Sequence, residues 1–221
     1  MPTISSAGLK AAVEHHVDTE DLLRSLYGDT HPLAVKKCLP ALDDYCCEYI
    51  SRSPFLCLST QHAGGRADVS PRGDPAGFVT IIDQHTVAIP DRPGNNRLDS
   101  LSNIISNPSV GLLFLVPGFD DTLRVNGEAF LSRDPDLLSG MSVMKRTPTL
   151  AIVVEIKEAF LHCAKAFRRS RLWQAEALQD RLQLPSLATM VSEQISGVAV
   201  KPAEAVKLGE ELEEEYRQTM Y

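Results

Sequence analysis

Two short stretches hold the residue types and spacings best suited to chemistry. The first reads Ala67-Asp68-Val69-Ser70-Pro71-Arg72-Gly73-Asp74-Pro75, the second Ile89-Pro90-Asp91-Arg92-Pro93-Gly94-Asn95-Asn96-Arg97-Leu98. Each leaves a predicted strand and enters a turn rich in Gly, Pro, Asn and Arg. The second also opens a helix, where unpaired backbone N–H groups and the positive end of the helix dipole favour an anion. Arg97 at that start, Arg72 from the preceding hairpin and the amides of Asn95 and Asn96 together suit a phosphate, because the planar guanidinium fork meets phosphate oxygens in pairs. The same arginines can instead pair with Asp68, Asp74, Asp91 and Asp99 on turn surfaces, and by charge alone that reading prevails. The pattern is neither a P-loop nor a GxGxxG turn.

A second island spans residues 157–173. It sets Lys157, Lys165, Arg168, Arg169 and Arg171 against Glu158 alone, and carries His162, Cys163 and the single tryptophan, Trp173. It offers positive charge and an aromatic edge to an anionic ligand, or a plain basic surface patch. The sequence holds no GxSxG elbow, HExxH pair or Walker A lysine. The histidines are mostly isolated, no metal site is expected, and no catalytic acid or base can be assigned; His162 and Cys163 qualify by position only. If the chain is an enzyme, a bound cofactor carries the reactivity.

The chain has 221 residues, 43% hydrophobic and 23% charged, with 29 acidic against 22 basic side chains and a net charge of −7. Those proportions exclude wholesale disorder and fibrous repeats, and the acidic balance argues against a general nucleic-acid binder. The uncharged run at 100–119 contains Asn103, Asn107, Pro108 and several serines, which oppose a membrane span. No signal peptide is read, and five cysteines without CxxC spacing suggest reduced thiols in a cytoplasmic protein.

The elements that must position these residues follow from periodicity. Asp18 and Thr19 cap a helix carrying Leu22, Leu23 and Leu26 that stops at Gly28. Pro40 opens another with Leu42, Tyr45, Cys46, Tyr49 and Ile50, ending at Pro54. Strands are predicted at 55–60, 67–70, 78–82, 86–89, 110–116, 123–127 and 150–156, the 110–116 run as one buried on both faces. One helix, 98–106, interrupts them, and an acidic amphipathic helix at 202–216 presents Leu208, Leu212 and Tyr216 on one face. Strands clustered at 55–165 with helical ends favour an antiparallel barrel over a parallel α/β sheet.

From 55 to about 173 the sequence resembles the pyridoxamine 5′-phosphate oxidase-type FMN-binding split barrel, in its FMN-dependent flavoprotein branch. The likeness rests on ADVSPRGDPAGFV, AIPDRPGNNRLDSLSNIISNPSVGLLFLVPG, TLRVNGEA and HCAKAFRRSRLW in that order. It implies a mainly β (α+β) fold: a six-stranded antiparallel split β-barrel with N-terminal and C-terminal helices, forming a homodimer with FMN at the interface. By that resemblance Val69, Ser70 and Arg72 contact flavin and phosphate, and Ile89 and Pro90 run beside the isoalloxazine. Asn96 and Arg97 hold the phosphate, Arg124 reaches the flavin, and Lys165 and Trp173 approach it from either subunit.

The implied organisation is a helical N-terminal extension at 1–52, the FMN-binding split barrel at 53–175, and C-terminal helices at 176–221 packing on the barrel or the partner subunit. The implied function is an FMN-dependent oxidoreductase exchanging a hydride between flavin N5 and a small organic substrate, with neither nucleic acid nor membrane as partner. One departure bears on the substrate: the Arg-x-His element that holds the vitamin in true pyridoxamine 5′-phosphate oxidases is missing, since no histidine follows His162. Two alternatives stay open on the same barrel, a flavin- or haem-binding module without turnover and a deazaflavin-dependent reductase.

Overall fold

Seven alternating or continuously apolar segments call for a sheet, and the computed structural model builds one. It describes residues 12, 13 and 15–221, so the expected extension at 1–52 lies partly outside the described residues. The strands are β1 (Phe55–Gln61), β2 (Ala67–Gly73), β3 (Thr80–Asp83), β4 (Thr86–Pro90), β5 (Ser109–Leu115), β6 (Thr122–Ser132) and β7 (Ala151–His162). They pair antiparallel throughout in the order β2-β1-β5-β6-β7-β4-β3. The antiparallel α+β class is as expected, with seven strands where the resemblance implies six. Pro71 sits inside β2 without loss because β2 is an edge strand, where a missing N–H removes no ladder bond from a second neighbour.

The core gathers Leu56 and Leu58 of β1, Val87 and Ile89 of β4, Leu112 and Phe114 of β5, Leu123 and Val125 of β6, and Ile152 and Val154 of β7. Helix α3 (Asp44–Arg52) adds Cys46, Tyr49 and Ile50, and α4 (Asp99–Ser106) adds Leu101 and Ile104. Two shorter helices, α1 (Glu20–Ser25) and α2 (Pro32–Lys36), precede them in a separate unit at 1–37 and bury none of their residues. Thr19 caps α1 as its spacing suggests, accepting from the Leu22 N–H at 3.2 Å. Helix α3 begins at Asp44, four residues after the Pro40 signal: Asp43 accepts the Cys46 N–H at 2.8 Å and fixes the start.

The run at 110–116 alternates buried and half-buried positions instead of being covered on both faces. The doubly covered strands are β4 and β7. Helix α5 (Pro135–Gly140) packs Leu138, with the following Met141, against Ala88, Ala151 and Val153 in a second small core. Helix α4 is tied down by Asn103, whose side-chain amide donates to Thr60 Oγ1 of β1 at 3.0 Å. Its start is held beside β2 by Ser100, whose hydroxyl lies 3.0 Å from Ser70 Oγ and donates to Asp68 at 2.7 Å. After α6 (Lys165–Ser170), the chain ends in α7 (Leu187–Ser196) and α8 (Pro202–Thr219), which pack on each other.

Candidate functional site

Strand β2 and the loop between β4 and α4, the two chemistry-bearing stretches, form opposite parts of one cavity of about 800 Å³. Val69, Ser70, Arg72, Pro90, Asn96 and Arg97 all line it. Ile89 is fully buried in the core next to Pro90. Arg124, Lys165 and Trp173 are not among the lining residues. Arg124 lies over the Phe160 ring at 5.5 Å and donates to Asn126, while the Trp173 indole donates to the Phe119 carbonyl at 2.7 Å. Lys165 opens α6, and His162 packs on Phe160 with ring centroids 5.1 Å apart.

The arginines pair with nearby carboxylates and still border the cavity. Arg72 donates to Asp91 at 2.9 Å, Arg92 to Asp74 at 2.6 Å and Arg97 to Asp99 at 2.8 Å, yet all three arginines border the same cavity. The pairs differ in kind. The Asp74 side chain is fully covered, whereas the Arg97 side chain is 72% exposed, so its ion pair is screened and easily exchanged for another anion. The Asp99 hydrogen bond raises the Arg97 pKa further above its already high value.

A directed chain of side-chain donors runs along one wall. Arg72 Nε points to Ser70 Oγ at 3.4 Å, Ser70 to Ser100 Oγ at 3.0 Å, and Ser100 donates to Asp68 at 2.7 Å. Asn96 and Leu98 adopt left-handed backbone with φ of 56° and 59°, a conformation that gathers backbone N–H groups into anion-binding concavities. No side chain caps the first turn of α4, so its N–H groups and dipole are left for an external acceptor.

These residues fit FMN. The volume lies within the range typical of cofactor sites, roughly 300–1,000 Å³. An exposed arginine beside an uncapped helix start suits a phosphate, and Pro90 above a buried Ile89 gives a flat apolar edge. Asn96 and Arg97 would hold the phosphate, with Val69, Ser70, Arg72 and Pro90 along the remainder.

Asp91, Arg92, Arg146 and Tyr221 are among the lining residues that the sequence did not mark as site residues. Asp91 and Arg92 sit inside a stretch already singled out, so a pairing argument could have promoted them. Arg146 and Tyr221 arrive from distant segments, and no local signal marks them. The Tyr221 hydroxyl donates to Asp74 at 2.7 Å, and this bond raises the phenol above its ordinary pKa.

The sequence pattern of the pyridoxamine 5′-phosphate oxidase family matches residues 42–163. No curated protein matches the chain. Among solved structures, it is similar to HupZ of Group A Streptococcus, at 13% identity over 54% of this chain and 93% of that one, with a TM-score of 0.45. An FMN-binding protein from Syntrophomonas wolfei is 12% identical over 53% and 88%, with a TM-score of 0.41. General Stress Protein 26 from Bacillus anthracis is 14% identical over 52% and 88%, with a TM-score of 0.40. With its family pattern spanning more than half its length, the chain belongs to the pyridoxamine 5′-phosphate oxidase family.

Proposed function

We propose that this chain is an FMN-dependent oxidoreductase that acts on a small organic molecule as a cytoplasmic homodimer. The observation that carries the proposal is the shared cavity of Arg72, Asn96 and Arg97 at the uncapped start of α4. Bound there, FMN supplies two-electron redox chemistry at its N5 atom. Arg97 and Asn96 hold the phosphate dianion. Arg72, fixed by Asp91, gives a cation of restricted position, and the Ser70–Ser100–Asp68 chain keeps that wall polar and ordered. Pro90 and the buried Ile89 keep water from the ring. Arg124, Lys165 and Trp173, absent from this cavity wall, act on the flavin of the partner subunit.

In this reading residues 53–175 are the flavin-binding barrel and 1–52 a helical extension, with 176–221 packing on the barrel or on the partner. The absence of any disulfide among the described cysteines is compatible with the cytoplasmic setting, and no described helix is long and apolar enough to cross a membrane.

A second reading, flavin binding without turnover, has one observation in its favour. Asp68, Asp91 and Asp99 in the cavity each already accept a hydrogen bond from within the chain, which leaves no uncommitted carboxylate there as a base. One experiment separates the two. Protein reconstituted with FMN and desalted is expected to keep the flavin's visible bands and to be reduced anaerobically by at least one member of a donor panel. Retained flavin that no donor reduces supports the second reading. Protein that retains no FMN overturns both, and a selective gain of affinity for a deazaflavin would then take their place.

A further inference from the structure

The C-terminal hairpin is lightly attached to the sheet. Helices α7 and α8 pack chiefly on each other, and Thr189 of α7 is buried, its hydroxyl donating to the Ala205 carbonyl of α8 at 3.5 Å. Helix α8 buries none of its residues, and Leu182 and Ile195 are 90% and 82% exposed. Hydrogen bonds hold this segment on either side. Before the hairpin the Trp173 indole donates to the Phe119 carbonyl, and beyond it the Tyr221 hydroxyl donates to Asp74 at 2.7 Å. A segment with so little apolar burial opens locally at small cost, well before the whole chain unfolds.

The far attachment lies at the cavity, which Tyr221 and Arg92 both line. Asp74 has no exposed side-chain surface, and Arg92, its ionic partner at 2.6 Å, is only 16% exposed. Arg92 is fixed in turn by the Met141 carbonyl at 2.9 Å. When Tyr221 leaves, Asp74 therefore keeps its cation and no bare charge is stranded, while the freed phenol hydroxyl is satisfied by water. Of the two bonds on Asp74, the one from Tyr221 is the one that can break and re-form without disturbing the wall behind it.

We infer that the α7–α8 hairpin is a strap whose end closes one side of the flavin cavity, and that Tyr221 is its latch: release from Asp74 lets the cofactor in and out. The inference goes beyond the FMN reading and takes from it only the identity of the molecule that passes.

The test compares wild type with Tyr221→Phe, which keeps the ring and loses the donor. Phenylglyoxal modification followed by mass spectrometry reads how often Arg92 becomes accessible in flavin-free protein, with the exposed Arg168 as internal reference. Stopped-flow mixing reads FMN association and dissociation. Loss of one hydrogen bond should raise the open population, and with it the Arg92 modification rate, about fivefold. Both FMN rates should rise by a like factor, so that Kd changes less than about threefold. Arg92 modification equal to wild type overturns the inference. Unchanged FMN rates also overturn it, because the cavity would then open elsewhere. A change confined to one of the two rates does so too, since Tyr221 would then be a fixed contact of the bound flavin and not a gate. If wild type binds no FMN, the earlier reading fails, and the Arg92 comparison on the flavin-free chain still decides whether Tyr221 is a latch.

Discussion

The Arg72 guanidinium donates to Asp91 Oδ1 at 2.9 Å and so clamps edge strand β2 to the loop leaving β4. About four-fifths of each side chain is covered. The two arginine-bearing bends are therefore locked to one another by the chain itself, and the cavity between them is shaped before any ligand enters.

Arg72→Met should accordingly cost about 1–3 kcal/mol in urea unfolding, the penalty of leaving a largely covered carboxylate without its donor. Flavin affinity should fall with it. An unchanged unfolding midpoint would show that solvent compensates Asp91 and that the clamp adds nothing.

The Asp74–Arg92 pair is the more sensitive one. Asp74 has no exposed side-chain surface, and it accepts from Arg92 at 2.6 Å and from Tyr221 at 2.7 Å. Arg92→Met should destabilise by about 3–5 kcal/mol because it strands a buried charge. Tyr221→Phe should cost only about 1 kcal/mol, a single hydrogen bond. The expected order, measured by denaturant titration, is Arg92→Met far below Tyr221→Phe; the reverse order would mean that the Tyr221 hydrogen bond supports Asp74 more than the Arg92 ion pair does.

Much of this is legible in the sequence. β-branched and alternating runs gave the strands, because a half-covered sheet leaves a period of two in the chain. Capping by Thr19 and the helix after Asn96-Arg97 were equally readable. Helix α5 has a local signal as well, since Asp134 followed by Pro135 is an N-cap and first-turn pair, but it lies outside the helices expected from periodicity. The burial of β7 on both faces depends on α5 and could not be inferred without it. Sequence offered surface pairing and phosphate binding as rivals for Arg72 and Arg97, and only geometry reveals that the pairs form on a common wall. Arg146 and Tyr221 join that wall through tertiary contacts across many tens of residues, which no local pattern encodes.

Asp43 provides a pH test. The Cys46 backbone N–H holds its carboxyl below the ordinary value of 3.8. Because the folded pKa is the lower one, the cap contributes fully above 3.8 and is lost as pH falls through the folded value. Asp43→Ala should lower stability by about 1 kcal/mol at neutral pH, with the gap to wild type closing in strong acid. A gap independent of pH would mean that the capping charge is irrelevant.

Gly127 carries a steric test. It sits at the β6 bulge opposite β7, where an added Cβ would lie 2.2 Å from the Glu155 carbonyl oxygen. Rigid backbone cannot yield as a side-chain tip can. Gly127→Ala should cost at least about 2 kcal/mol, read from the melting temperature. A melting temperature equal to wild type would contradict the close approach of β6 and β7.

The most direct measurement of the central claim is the affinity of wild type and Arg97→Ala for FMN and for riboflavin, which lacks the phosphate. Wild type should prefer FMN by at least about tenfold, and Arg97→Ala should lose most of that preference with riboflavin binding unchanged. Equal affinities of wild type for the two flavins, or full FMN preference in Arg97→Ala, would contradict a phosphate held at the start of α4.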